Sequence, residues 1–339
     1  MNRKPDSSGF RFIRNKIDER KIYLDRYFTM RSIKRTCLVV LLTLGALFAK
    51  GQQDPMYTMY NFNLQTVNPA YAGSWGTVGF LWLSRLQWVG MEGHPETHTF
   101  SFQMPINSKS VGIGFDMLYD KVGLETRIST AFDYSFRIAL NNMATLRFGI
   151  RGGFTNYSNN LNAYTQYPDG IADPAFQTIV SNKFMPNVGV GVYLEAPKYF
   201  VSLAAPKLLQ NSFQSNATNF TTSSEIRHFF LSGGWLFNVN NFLKFKPTFM
   251  THFVAGAPLE GELSANFLLA NKVWLGAMYR TGDSFSATAA WIINQNFRIG
   301  YAFDFTTSEL SSYQQGVHEI MLTYEFAVSR RKFISPRYF

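Results

Sequence analysis

The chain has 339 residues, 46% of them hydrophobic, 17% aromatic and only 16% charged, with a net charge of +10 and a mean hydropathy of −0.09. Its 33 Phe, 17 Tyr and 6 Trp exclude a disordered chain, and its single Cys excludes a disulfide scaffold. No apolar run of about 20 residues follows residue 50, which excludes a bundle of membrane-crossing helices.

The basicity is local. Residues 1–51 carry 12 Lys and Arg against 4 Asp and Glu, which leaves a net charge of only +2 for the rest. Arg31, Lys34 and Arg35 precede an apolar run from Cys37 to Phe48, and Ala49-Lys50-Gly51 follows it with small residues at a cleavable spacing. This is the pattern of a secretory signal peptide. Met30 starts a signal of ordinary length, so residues 1–29 either precede the true start or form an N-terminal extension. Cys37 stands before the apolar run, where a lipid-modified Cys would follow it. The expected mature chain is exported, Cys-free and nearly neutral, with no surplus of charge for nucleic acid.

Residues 53–74 come next. Asn68-Pro69 and Gly73-Ser74 are turn signals, and Tyr57, Tyr60 and Phe62 make the segment too apolar for a free tail. It is expected to fold against the periplasmic mouth of a barrel or into its lumen.

From Gly76 onward, apolar and polar residues alternate with period two. Val111, Ile113, Phe115, Met117 and Tyr119 share one face of their segment, and Gly112, Gly114, Asp116, Leu118 and Asp120 share the other. Leu146, Phe148 and Ile150 likewise oppose Arg147 and Arg151, and the odd positions from 297 to 305 oppose Arg298 and Asp304. A helix would scramble these faces. Fourteen such segments are predicted as strands: 76–86, 96–106, 110–120, 125–139, 143–157, 185–195, 198–205, 226–237, 241–253, 258–270, 272–281, 283–293, 295–307 and 317–328.

Even connections are short and mostly Asn-rich, such as Asn107-Ser108-Lys109, Asn141-Asn142 and Asn294-Gln295, whereas odd ones include 158–184, 206–225 and 308–316. This parity fits an outer-membrane barrel with periplasmic turns and external loops, and a soluble sandwich has no reason for it. The predicted fold is an all-β, up-and-down antiparallel transmembrane barrel of about 14 strands. Residues 1–51 precede it as extension and signal and 52–75 as a periplasmic or lumenal segment. The barrel occupies 76–329, and 330–339 form a periplasmic tail.

The apolar face is expected to meet lipid, with Trp88, Tyr119, Tyr157, Trp274, Trp291 and Tyr324 as aromatic girdles. The other face carries a predicted lumenal charge network of Asp116, Arg127, Asp133, Arg137, Arg147, Arg151, Arg298, Asp304 and Glu319, with Lys244, Lys246, Arg280 and Glu325 beside it. Such charges stiffen a barrel through ion pairs or line a selective pore, and their near balance favours the former. In the long loops, Tyr164, Tyr167, Phe176, Phe213, Phe220 and Tyr313 stand among Asn, Ser and Thr, a composition suited to protein contact.

Catalytic signatures are absent from the sequence: it has no Gly-x-Ser-x-Gly elbow, phosphate loop or His-Glu-x-x-His helix. His94 and His98 lack the helical geometry that a His-x3-His metal pair relies on. His318 and Glu319, adjacent on a strand, face opposite sides. No catalytic, cofactor-binding or metal-ligating residue is expected, and the chain is read as a non-enzyme.

Gln53-Asp54-Pro55 followed by Asn68-Pro69-Ala70-Tyr71-Ala72-Gly73-Ser74 resembles the opening of the PorP/SprF family of Bacteroidetes outer-membrane proteins. Arg298-Ile-Gly-Tyr-Ala-Phe-Asp-Phe-Thr-Thr-Ser-Glu-Leu310, Gly316-Val-His-Glu-Ile320 and the terminal Ser335-Pro-Arg-Tyr-Phe339 resemble its end. The resemblance implies a non-enzymatic part in type IX secretion. For SprF-like members it implies gliding motility and delivery or anchoring of a secreted surface adhesin that carries a type IX C-terminal domain. PorP-like members imply support of general secretion through the translocon and periplasmic ring or motor components. The implied arrangement has outer loops holding the exported partner, with the N-terminal segment and short turns facing the periplasm. Outer-membrane lipid is the other expected partner. A solute porin or small-molecule transporter is the rival reading, and an outer-membrane enzyme the third.

Overall fold

The computed structural model describes residues 55–106, 110–141, 143–159, 180–211, 225–254 and 258–326. The expected signal, Gln53, Asp54 and the tail 330–339 lie outside them, as do Tyr164, Tyr167, Phe176, Phe213 and Phe220.

Alternation in sequence becomes alternation in space. The strands are β1 (Gly79–Leu86), β2 (Glu96–Ile106), β3 (Val111–Val122), β4 (Glu125–Ala139), β5 (Thr145–Asn159), β6 (Val180–Glu195), β7 (Tyr199–Ala205), β8 (His228–Trp235), β9 (Phe237–Asn238), β10 (Leu243–Val254), β11 (Glu260–Leu269), β12 (Val273–Arg280), β13 (Ser284–Ile292), β14 (Phe297–Thr306) and β15 (Val317–Glu325). Each pairs antiparallel with its neighbour, and β1 pairs with β15, Gly79 opposite Glu325, which closes the sheet. β8 and β9 form one span, because β10 holds them in a single register, Gly234 opposite Thr248 and Asn238 opposite Lys244. The result is a closed barrel of fourteen antiparallel spans. Closure satisfies every ladder hydrogen bond internally, as a hydrocarbon surrounding requires.

The faces sort as lipid dictates. Phe132, Ile150 and Leu263 are 60%, 60% and 65% exposed on the outside, whereas Asp133 beside Phe132 and Glu262 beside Leu263 are 3% and 1% exposed on the inside. Two expected girdle residues are exceptions. Tyr157 and Trp274 point inward and are buried, because each lies in register with the inward set of its strand. The outer face near the loop ends instead stacks Trp82, His98 and Tyr119.

The β5–β6 hairpin is longer than its sequence pattern indicates. Polar residues at its tip pair with one another, Asn156 and Ser158 with Asn182, so no apolar alternation marks these last rungs.

Residues 55–75 fill the lumen. Three short 3-10 turns, Tyr60–Phe62, Leu64–Thr66 and Pro69–Tyr71, carry them from the end of the barrel bearing the long loops (the loop end) to the end bearing the tight turns (the turn end). Tyr57, Met59, Tyr60, Phe62, Leu64, Ala70, Tyr71 and Ala72 are all buried. The segment makes room for itself on a floor of glycine. A Cβ at Gly112 would strike the Ala72 carbonyl, one at Gly149 the Pro69–Ala70 backbone, and one at Gly191 the Asn68 side chain.

Gly149→Leu therefore forces the segment off its floor. The expected result is a barrel that still forms but loses about 1–3 kcal/mol, measured by denaturant unfolding. Limited proteolysis should then cut within 55–75, where the wild type resists.

Candidate functional site: the plugged lumen

The segment 55–75 contains no charged side chain, so it meets the charged lumen through backbone groups, amides and hydroxyls. Three sets of contacts hold it, one at each level of the barrel.

At the loop end, the backbone N–H groups of Thr58 and Met59 donate to Glu319 at 2.9 and 2.7 Å, and the Thr58 hydroxyl donates to Asp304 at 2.7 Å. Arg85 joins these acceptors, donating to Glu319 at 3.0 Å, to Asp304 at 2.8 Å and to Thr58 Oγ1 at 2.9 Å. Beside it Arg280 donates to Glu262 at 2.6 Å, and the Tyr57 hydroxyl bonds Thr99.

At mid-height, Arg151 donates to Asp116 at 2.6 Å and to Asp133 at 2.7 Å. The same guanidinium reaches the Gln65 and Thr66 carbonyls at 2.7 and 2.8 Å, and so caps the second 3-10 turn. Gln65 returns a bond from Nε2 to Asp116 at 3.2 Å.

At the turn end, the Asn68 side chain accepts from Ala70 N at 2.9 Å, which caps the third 3-10 turn, and donates to Ser202 at 2.7 Å. Ser135 donates to the Ala72 carbonyl at 2.6 Å. Tyr71 packs edge-on to Tyr193, and Phe62 edge-on to Trp274. Lys246 lies over the Trp274 ring at 5.0 Å, a buried cation held against an aromatic face.

The expected charge network is thus divided. Asp116, Asp133 and Arg151 meet one another, and Asp304 and Glu319 meet through Arg85. Arg127 pairs with Glu125 at 3.2 Å, Arg147 with Glu195 at 3.6 Å and Arg298 with Glu325 at 3.6 Å. Arg137 stands opposite Arg147 across the β4–β5 ladder. Sequence reasoning missed Arg85, Glu195 and Glu262. The signal for Arg85 was a lone cation in Gly79–Leu86, a strand whose other residues are apolar or small.

Pro55, Asn68, Pro69, Ala70, Tyr71, Ala72 and Gly73 all belong to the lumenal segment. Within this segment only Asn68–Trp75 reaches the turn end. Its start, held by Glu319 and Asp304, lies at the loop end, because the chain must run down the lumen to enter β1 from the turn side. Of the loop aromatics, Tyr313 is 75% exposed on the β14–β15 loop. His98 is drawn into its outward stack, and His318 accepts or donates a bond with Tyr301 on the outside while Glu319 points inward. A loop-end cavity of about 120 Å³ opens beside Pro55 and Tyr57, lined by Asp116, Asp120, Arg127 and Asn187 among others.

The family model for type IX secretion system membrane proteins of the PorP/SprF type matches residues 49–324. The chain belongs to the PorP/SprF family. It is a multi-pass outer-membrane β-barrel component of the type IX secretion system. No curated protein matches it. Among solved structures it is similar to the Acinetobacter baumannii outer-membrane protein Omp33, with 7% identity over 74% of this chain and 99% of that one and a TM-score of 0.44. It is also similar to the CymD monoaromatic hydrocarbon channel, with 10% identity over 78% and 99% and a TM-score of 0.45. A Pseudomonas aeruginosa FadL homologue aligns with 12% identity over 82% and 96% and a TM-score of 0.43.

Arg85→Leu tests the loop-end latch. It strips the shared cation from two buried carboxylates, and a broken buried pair of this kind costs about 3–5 kcal/mol. The denaturation midpoint should fall accordingly, and the paired Arg85→Leu, Glu319→Leu variant should recover part of the loss.

Proposed function

We propose that this barrel works by binding rather than by conduction. Its outer loops hold the type IX C-terminal domain of a secreted surface adhesin and support its delivery or anchoring. Its turn end meets the translocon and the periplasmic ring or motor components that drive secretion and gliding. The observation that carries this reading is the lumenal segment: an uncharged stretch of chain, bonded to the barrel at three levels, occupies the route a solute would take.

The connections 160–179 between β5 and β6 and 206–227 between β7 and β8 are long and rich in Asn, Ser, Thr and aromatic residues, a composition that, with the exposed Tyr313, suits protein recognition. The barrel's contribution is to hold partners on the two sides of one membrane.

Two measurements separate this reading from a porin. Reconstituted in planar bilayers, the wild-type barrel should show no steady open channel, and deletion of 55–75 should create one. Affinity purification of the tagged barrel from native membranes should recover a type IX substrate or a translocon component. Steady wild-type conductance, with the barrel recovered alone and surface adhesins unchanged in a deletion strain, would leave the porin reading standing instead.

A further inference from the structure

We propose that the loop-end cavity is an anchor pocket for one bulky, uncharged side chain, aromatic or branched, of the exported protein that the outer loops hold. The cavity measures about 120 Å³, and an apolar cavity of about 150 Å³ holds one benzene ring. It lies between the lumenal segment, which contributes Pro55, Tyr57 and Val67, and the inner wall of β3, β4 and β5.

Two rungs of the wall make the hollow. Leu118, Ser129 and Thr155 stand side by side on one, and Asp116, Ala131 and Gly153 on the next. A Cβ at Gly112, Gly114 or Gly149 would strike the lumenal segment, so the segment lies against the wall there. The atoms nearest a Cβ at Gly153 are instead those of Thr130 and Ala131, in the wall itself. At this level the segment stands off the wall, and Val67, Leu118, Ala131 and Gly153 remain half-buried. Leu118 is an apolar residue on the lumenal face of its strand, so lipid cannot cover it and the segment covers it only in part.

The polar groups around this hollow bond one another, which sets the chemistry of an occupant. Asp116 binds Arg151 at 2.6 Å, and the Ser129 and Thr155 hydroxyls bond each other at 2.8 Å. At the rim, Asp120 accepts from Thr97 at 2.7 Å, Arg127 lies 3.2 Å from Glu125, and Lys207 lies 3.0 Å from Glu225. A charged guest finds its counter-ions taken, and water, which needs about two to four polar partners, is poorly held. An apolar group instead covers the remaining surface of Leu118 and Val67. The cavity opens inside the wall at the aqueous end of the barrel, so the acyl chains of the membrane lie on the other side of the strands. Pro206, Lys207 and Glu225, at the two ends of the β7–β8 connection, also line it, which makes it continuous with the loop surface. One apolar anchor in a pocket, ringed by polar contacts, is how protein interfaces concentrate their binding energy.

This inference rests on reading the outer loops as the holder of a type IX substrate, and one arm of its test is independent of that reading. Purified full-length barrel in detergent is titrated into N-acetyl-para-fluorophenylalanine amide, a neutral capped side chain, and binding is followed by fluorine NMR linewidth. Folding of every variant is verified by heat-dependent gel mobility. Saturable broadening is expected, with N-acetylleucine amide competing and the charged N-acetylaspartic acid amide not. Ala131→Leu fills the hollow and should weaken binding about tenfold. Leu118→Asn, similar in size but polar, should weaken it about threefold. Glu92→Gln, exposed at the loop end, should leave it unchanged. Equal broadening by wild type and both pocket variants overturns the proposal, and so does equal competition by the aspartic acid amide.

The second arm purifies the tagged barrel from native membranes. Ala131→Leu should recover about tenfold less of the type IX substrate than wild type does, at equal barrel yield. Equal recovery, with probe binding lost, overturns the proposal in favour of a site for a free apolar molecule. A wild-type barrel that recovers no type IX substrate sinks the reading of the outer loops and leaves the probe result intact.

Discussion

Arg85 lies between Asp304 and Glu319 with 3% of its side chain exposed, and the backbone of Thr58 and Met59 completes the same cluster. Each member depends on the others. Two buried carboxylates need the cation, the cation needs both to offset its desolvation, and the remaining lone pairs of Glu319 need the two N–H groups of the lumenal segment. A buried charge cluster of this kind tolerates no missing partner, so it fixes where the segment begins. The glycine floor at Gly112, Gly149 and Gly191 fixes where it ends. Between these points Arg151 binds carboxylates on two strands and carbonyls of the segment at once, tying wall to contents.

Lipid outside and charge inside invert the usual arrangement of a protein core. Burial of apolar surface against lipid supplies no drive for the chain to fill the lumen, because those side chains are satisfied where they are. What fills it is a segment that is apolar enough to pack, through Met59, Leu64 and Tyr71, and polar enough to bond, through Thr58, Asn63, Gln65 and Asn68. Its lack of charge follows. A charge of either sign would disturb pairs already matched within the wall, whereas amides and hydroxyls serve as donors or acceptors as each site demands.

Period-two alternation was enough to place all fourteen spans, since one face in lipid permits no slip of register. The same rule misjudged Tyr157 and Trp274, because an aromatic near a strand end suits a girdle or a lumen equally, and only register separates the two. The strand tips at Ser158–Asn159 and Val180–Asn182 escaped notice because they are mostly polar and carry no apolar alternation. The charges were legible as inward residues, yet their partners were not. Arg85 and Glu319 are 234 positions apart, and only closure of β1 on β15 makes them neighbours. The fold of 55–75 was legible as aromatics too costly to expose. Its direction through the lumen was not, as that depends on which end of the barrel β1 enters.

Hydrogen exchange on the folded barrel tests the account at its centre. If the segment is held as described, the amides of Thr58, Met59, Ala70 and Ala72 should exchange as slowly as those of the strands around them. Their protection should fall in Arg85→Leu while the ladders stay protected. Exchange of residues 55–75 at the rate of an unfolded peptide, with the barrel strands protected, would contradict a lumen closed by its own chain.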